Sequence, residues 1–198
     1  SKSKQCYIVV SEIAKNKTGK KKIVVASILA ALTMTANIVT VEGAIPEGTR
    51  TDHLGLAIGT SSNSKSNQSI AIGYASSAQA PGANPENPAT AVGAGANANG
   101  AGAVALGLSA NATGANAVAL GGGSNGGTNK TEATGTRATA ISFNAKASGS
   151  DSIALGNATV ASDEKAIAIG SDSKATDVGT TALGRSSAAT GASATALG

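Results

Sequence analysis

Few residues in this 198-residue chain could carry covalent chemistry. There is one histidine, His53, and one cysteine, Cys6, and the two fall in segments of different composition. No cysteine follows residue 44 to join the histidine as a nucleophile, so His53 reads as a cap or loop residue. Two acidic pairs, Asp163-Glu164 and Asp172 with Asp177, could serve general acid–base catalysis only in an enclosed site that pushes one carboxyl pKa upward. Here they sit among polar and glycine residues as solvated charge. The glycine-rich run Gly121 to Gly127 lacks the Lys-Ser/Thr end of a phosphate-binding loop, and it lacks the aspartate of the calcium-binding nonapeptide repeat. Asn-x-Ser/Thr triplets at Asn67, Asn111, Asn129 and Asn157 are expected by chance in so Asn-, Ser- and Thr-rich a chain. The residues therefore point away from an enzyme, and no cofactor or metal is expected.

What the chain has instead is a repeat. Ten quartets run from Leu56-Ala57-Ile58-Gly59 to Thr195-Ala196-Leu197-Gly198, and their last residues lie 14, 20, 14, 14, 21, 14, 14, 14 and 14 apart. A fixed period of this length marks a solenoid, in which each repeat is one coil that stacks on its neighbours because it cannot bury a core alone. Function then belongs on a long surface and not in a pocket.

Within a regular coil such as Ala94 to Gly107, position 3 is small, position 5 is Ala, and Gly recurs at positions 7 and 14. Glycines seven apart suit two corners that need positive φ, with Asp163 and Asp177 as substitutes. Between the corners the period-two pattern reads as short strands. Positions 3 and 5 are expected to point inward from one strand, and the large aliphatics at positions 11 and 13 from the other. A glycine every seventh residue, costing about 1 kcal/mol each in a helix, argues against the helical alternative. The fold class is all-β, a parallel β-solenoid.

Position 12 is alanine in all ten coils: Ala57, Ala71, Ala91, Ala105, Ala119, Ala140, Ala154, Ala168, Ala182 and Ala196. On this phase these alanines face outward, where positions 2, 4 and 9 drift among polar residues, so their uniformity makes them candidate contacts between chains. The bland alternative is a site with room only for a small side chain. Two coils are longer, with about six extra residues around Pro81 to Glu86 and about seven at Gly122 to Thr128, both expected as loops extruded at corners. Pro46 to Gly59, with Arg50 and Gly55 at positions that are otherwise small or Ala, resembles a capping coil.

Residues 1–44 differ from the rest. Seven lysines face one acid before an apolar run from Ile23 to Ala36, followed by small and polar residues. That is the layout of a secretory signal, with cleavage expected between 36 and 44. Residues 45–198 then carry eight bases and nine acids, a net charge of −1, so the basic whole-chain balance is no sign of nucleic-acid binding.

Two stretches together resemble the trimeric autotransporter adhesins of Gram-negative bacteria, and in particular their YadA-like head. Cys6-Tyr7-Ile8-Val9-Val10-Ser11-Glu12-Ile13-Ala14-Lys15 is similar to an extended type V signal peptide. Ser69-Ile70-Ala71-Ile72-Gly73 and Ser152-Ile153-Ala154-Leu155-Gly156 resemble the head repeat, and these ten residues are the candidate ligand-binding positions. The resemblance implies a left-handed parallel β-roll over residues 45–198 and a side-by-side homotrimer. It further implies display on the outer membrane through a stalk and a C-terminal anchor that this chain does not contain. The chain opens without Met and closes on a repeat glycine, so it reads as a fragment of a longer polypeptide. The implied partner is a host cell-surface or extracellular-matrix protein of the collagen, fibronectin or laminin class; a structural surface-layer, autoagglutination or biofilm role is the alternative. A hexapeptide acyltransferase is disfavoured because fourteen is not a multiple of six. An ice-binding plane is disfavoured because only Thr90, Thr139, Thr181 and Thr195 occupy position 11.

Overall fold

The computed structural model of the chain describes residues 49–50, 55–66, 68–80, 87–124 and 128–198, with backbone alone at 49–50. The expected leader with Cys6, the histidine His53 and the insertion at Pro81 to Glu86 lie outside the described residues. Among the described residues, twenty short strands alternate between two ten-stranded sheets. The odd sheet takes the two-residue strands from β1 (Thr49–Arg50) to β19 (Ala188–Ala189), at positions 4 and 5 of each coil. The even sheet takes the three-residue strands from β2 (Leu56–Ile58) to β20 (Thr195–Leu197), at positions 11 to 13. Every neighbouring pair is parallel and in register coil on coil, as when Val118, Ala119 and Leu120 face Val104, Ala105 and Leu106. The parallel β-solenoid read from the fourteen-residue period is therefore the architecture observed.

The phase of the side chains is not the one expected. Inward positions are 3, 5, 10 and 12, and all are small: in the coil Ala94 to Gly107 they are Ala96, Ala98, Ala103 and Ala105, each fully buried. The aliphatics at positions 11 and 13 point out, so that the even strands read half-exposed, buried, half-exposed along their length. Because strand side chains alternate with period two, a one-residue error of phase moves the whole set to the other face. Leu-Ala-Ile is apolar throughout, and hydrophobicity alone does not choose between the two settings. Space does: facing walls that meet through alanine methyls leave no room for Ile or Leu.

Several hydroxyls of the small core reach corner carbonyls. Ser152 Oγ donates to the Gly149 carbonyl at 2.7 Å, Thr159 Oγ1 to Gly156 at 2.9 Å, and Thr180 Oγ1 to Asp177 at 2.6 Å. The Gly149 and Asp177 carbonyls also accept the backbone N–H of the same Ser or Thr, so the bond serves the hydroxyl, which would cost about 1–3 kcal/mol if buried without an acceptor. Two of the Asn-x-Thr triplets end on these structural threonines, Thr131 and Thr159.

The two glycine positions answer to different constraints. At position 14 the backbone is left-handed, with φ of 124° at Gly107 and 146° at Gly121, and Ser142 holds the same corner at 103°. Position 7 is not left-handed, against expectation. Gly100, Gly114, Gly135 and Gly149 are needed because a Cβ there would overlap the carbonyl of the coil stacked on it. The other positive φ values fall at positions 2 and 9, on residues such as Ser109, Asn116 and Asp151. At Asp163 and Asp177 the carboxylates accept the next backbone N–H, from Glu164 at 3.0 Å and Val178 at 2.7 Å.

The second insertion is shifted from its expected place. Gly123 N–H donates to Leu108 O at 2.7 Å, the bond that Ser109 makes to Ala94 one coil earlier, so Gly122 and Gly123 still belong to the coil. The extra residues are 124–130, and the neck is closed by Ser124 N–H on Asn129 O at 2.9 Å. This insertion leaves the corner after an even strand. The chain around residues 81–86 departs after the odd strand β5 (Ser77–Ala78) and resumes at Asn87, whose carbonyl accepts Gly102 N–H. The described residues that flank the two insertions thus belong to different corners of the coil.

Candidate functional site

Turning the side chains as the structure does gives the roll two unlike faces. Outward on the even sheet stand pairs such as Ile70 and Ile72, Val104 and Leu106, Ile153 and Leu155, and Ile167 and Ile169. Position 13 is aliphatic in every even strand from Ile58 to Leu197. Ten strands at spacings of about 4.8 Å make this apolar face about 43 Å long. Leu155 keeps 39% exposure and Leu183 46%, which for side chains in a regular sheet is a large apolar surface left to solvent. Tyr74 and Phe143, at position 1 just past an even strand, extend the apolar border.

The odd sheet turns outward mostly polar residues, from Asn97 and Asn111 through Glu132 and Lys146 to Lys174, with Val160 and Ala188 as the apolar exceptions among them. Glu132 lies between Lys130 at 3.2 Å and Lys146 at 3.7 Å. At the corner beside it Arg137 makes a two-pronged contact with Asp151, Nε to Oδ1 at 2.6 Å and Nη2 to Oδ2 at 2.7 Å. That hydrogen bond holds the Asp151 carboxyl below the usual carboxylate range and raises the arginine. Lys165 is raised in turn by its bond to Glu164. These groups are solvated, and none of them sits in an enclosure that would make an acid–base catalyst. Among the described residues no three His, Cys, Asp or Glu side chains are placed to hold a metal ion.

The candidate residues divide accordingly. The position-12 alanines cannot be contacts between chains: from Ala57 to Ala182 they are buried inside their own roll, and Ala196 in the last strand is half-buried there. Uniform alanine records the thickness of the roll, the reading in which only a small side chain fits. Of the ten candidate ligand positions, Ser69, Ala71, Ser152 and Ala154 are buried in the core. Ile70, Ile72, Ile153 and Leu155 point outward on the apolar face, and Gly73 and Gly156 form corners. The quartet is therefore not a ligand face as a unit. Positions 4 and 6, which form the polar face, went unassigned from the sequence. Their signal was their variability, in a chain whose other strand positions hardly vary.

A ladder of two unlike parallel sheets wound on an alanine core defines a β-solenoid that meets other molecules through its faces. The chain matches the YadA head domain repeat over residues 54–76, 88–110, 98–124, 133–159, 147–173 and 175–198, more than half its length, and it belongs to that family. The breaks after residues 76 and 124 fall at the two insertions. Family membership makes it a segment of an adhesin-type protein exposed on the bacterial surface. No curated protein matches the chain.

Proposed function

We propose that this chain is the non-catalytic head of a trimeric adhesin, in which three left-handed rolls stand side by side with their even sheets turned toward one another. The observation that carries the reading is the outward aliphatic row at position 13 of the even sheet, continuous from Ile58 to Leu197 and flanked at position 11 by aliphatics or threonine, backed by a mostly polar odd sheet on the same thin roll. Residues 1–44 are its extended signal peptide, cleaved between 36 and 44 on export across the inner membrane. The head is then displayed at the outer membrane of a Gram-negative cell through a stalk and anchor elsewhere in the polypeptide. The outward odd sheets, in three copies, hold a host cell-surface or matrix ligand such as collagen, fibronectin or laminin by many weak contacts multiplied through shared attachment.

The interface in this proposal is made by positions 11 and 13, not by the alanines between them. Placing a lysine at Leu120 or Ile169 puts a charge into a dry contact, whereas a lysine at Thr134 on the polar face does not. Light scattering on the purified chain should report three subunits for the parent and for Thr134→Lys, and single chains for Leu120→Lys with Ile169→Lys. A double variant that stays trimeric would remove the even sheet from the interface. The adhesive role is tested by coating beads with the chain and counting attachment to epithelial monolayers and to immobilised collagen, fibronectin and laminin. Attachment no greater than that of albumin-coated beads on every surface would overturn it.

A further inference from the structure

We infer that the ligand-holding part of the polar face is its N-terminal half, on β5, β7 (Asn97–Ala98) and β9 (Asn111–Ala112), and that the ligand is an extended, uncharged glycan. This rests on the adhesin reading and narrows its partner. The outward residues of these three coils are Ser77, Gln79, Asn97, Asn99, Asn111 and Thr113, all uncharged hydrogen-bonding groups. Adjacent coils place them in rows about 4.8 Å apart, and positions 4 and 6 of one coil about 6.6 Å apart. The strands that follow on the same grid carry Glu132, Lys146, Val160 and Lys174, so the amide character is not imposed by the fold.

Two features set this patch apart from an ordinary wet surface. Asparagine is depleted in strands because its side chain competes for the local backbone, yet Asn97 and Asn111 occupy outward strand positions where Thr or Lys would serve. A local choice that goes against propensity is expected where function selects it. The side chains are also held by one another: Asn97 Nδ2 donates to Asn111 Oδ1 at 2.8 Å, Gln79 Nε2 to Ser77 Oγ at 2.8 Å, and Ser77 Oγ to Asn99 Oδ1 at 3.5 Å. Each amide spends only part of its capacity in these bonds, leaving donors and acceptors interleaved and already ordered, which lowers the entropy cost of binding.

The chemistry of the partner follows from what the grid offers. Interleaved donors and acceptors without net charge match a chain of hydroxyls, each of which both gives and accepts a hydrogen bond. A polypeptide is the poorer match. Peptide recognition relies on apolar anchors in pockets or on strand addition at a sheet edge. The patch has no outward apolar residue, and its strands are hydrogen-bonded on both sides. With no aromatic ring to stack on a sugar, each contact is weak, and retention depends on display in several copies.

The probes are cellohexaose, mannohexaose and a β-linked galactohexaose, each coupled in many copies to a soluble polymer, applied to beads carrying the chain. The parent should retain at least one of them. Asn97→Thr with Asn111→Thr should reduce retention by about tenfold or more, since several weak bonds are lost from a multivalent contact. Asn99→Thr, outside the strands, should reduce it with the circular dichroism of the parent, and Lys146→Thr with Lys174→Thr should leave it unchanged. No retention of any neutral polymer by the parent, equal retention by the asparagine variants, or retention confined to sulfated or sialylated polymers would overturn the inference. Binding to matrix protein that survives periodate oxidation of its sugars and is lost in Asn99→Thr would assign the patch to a polypeptide and equally overturn it. Beads that attach to cells regardless of these variants keep the adhesin reading and sink the glycan site. Beads that retain the polymer but attach to no cell or matrix do the reverse.

Discussion

The inward phase of the alanines can be tested at adjacent residues of one strand, Ala119 and Leu120. Ala119 is fully buried, with Ala105 and Ala140 in register on the strands to either side. Replacing it by valine pushes two methyl groups into a wall with no free volume, and overpacking of this size costs about 1–3 kcal/mol. Leu120 points outward, so Leu120→Ala leaves no cavity within the roll. Were the phase reversed, Leu120→Ala would open a core cavity at a cost of about 2–5 kcal/mol, and Ala119→Val would be close to neutral. Urea unfolding separates the two. With a slope of about 2 kcal/mol per molar, Ala119→Val should lower the midpoint by about 0.5–1.5 M at every protein concentration. Any loss at Leu120→Ala should shrink as concentration rises, because its area is buried only between chains and association shifts stability by mass action. A concentration-independent fall at Leu120→Ala beside an unaltered Ala119→Val would refute the assignment of faces and, with it, the interface drawn on the even sheet.

Glycines at different corners should respond differently. Gly100→Ala, whose new Cβ would overlap the Gly114 carbonyl, should cost about 2 kcal/mol or more, as steric strain in a packed interior does. Gly179→Asn, at a left-handed position with φ of 65° and only Ser193 Oγ nearby, should stay within about 0.5 kcal/mol by thermal melting. The Arg137–Asp151 pair gives a pH dependence whose sign is set by the depressed carboxyl. Its stabilisation is fully present above the unfolded value of about 3.9 and is lost as pH falls through the lower folded value. Asp151→Asn should flatten the acid limb of the melting curve while changing stability at pH 7 little, as expected of an exposed pair. An acid limb identical to the parent's would discount the contact.

The fourteen-residue period, the two corners per coil and the parallel β-solenoid were all legible in the amino-acid order. A backbone that must turn twice per coil advertises its turns through glycine and through residues that tolerate positive φ, and stacked identical coils repeat that notice ten times. The direction of each side chain was not legible. In Leu56-Ala57-Ile58 every residue is apolar, so burial and exposure carry the same hydrophobic signature, and the choice rests on the distance between facing sheets, a property of the wound chain and not of any quartet. The same holds for Gly100 and Gly114, whose need for a missing Cβ arises from a carbonyl fourteen or more residues away along the chain, and for the coil boundary after Gly123, which is set by the bond Gly123 makes to Leu108. Local conformational preference is written residue by residue; contact distances between coils exist only once the coils have stacked.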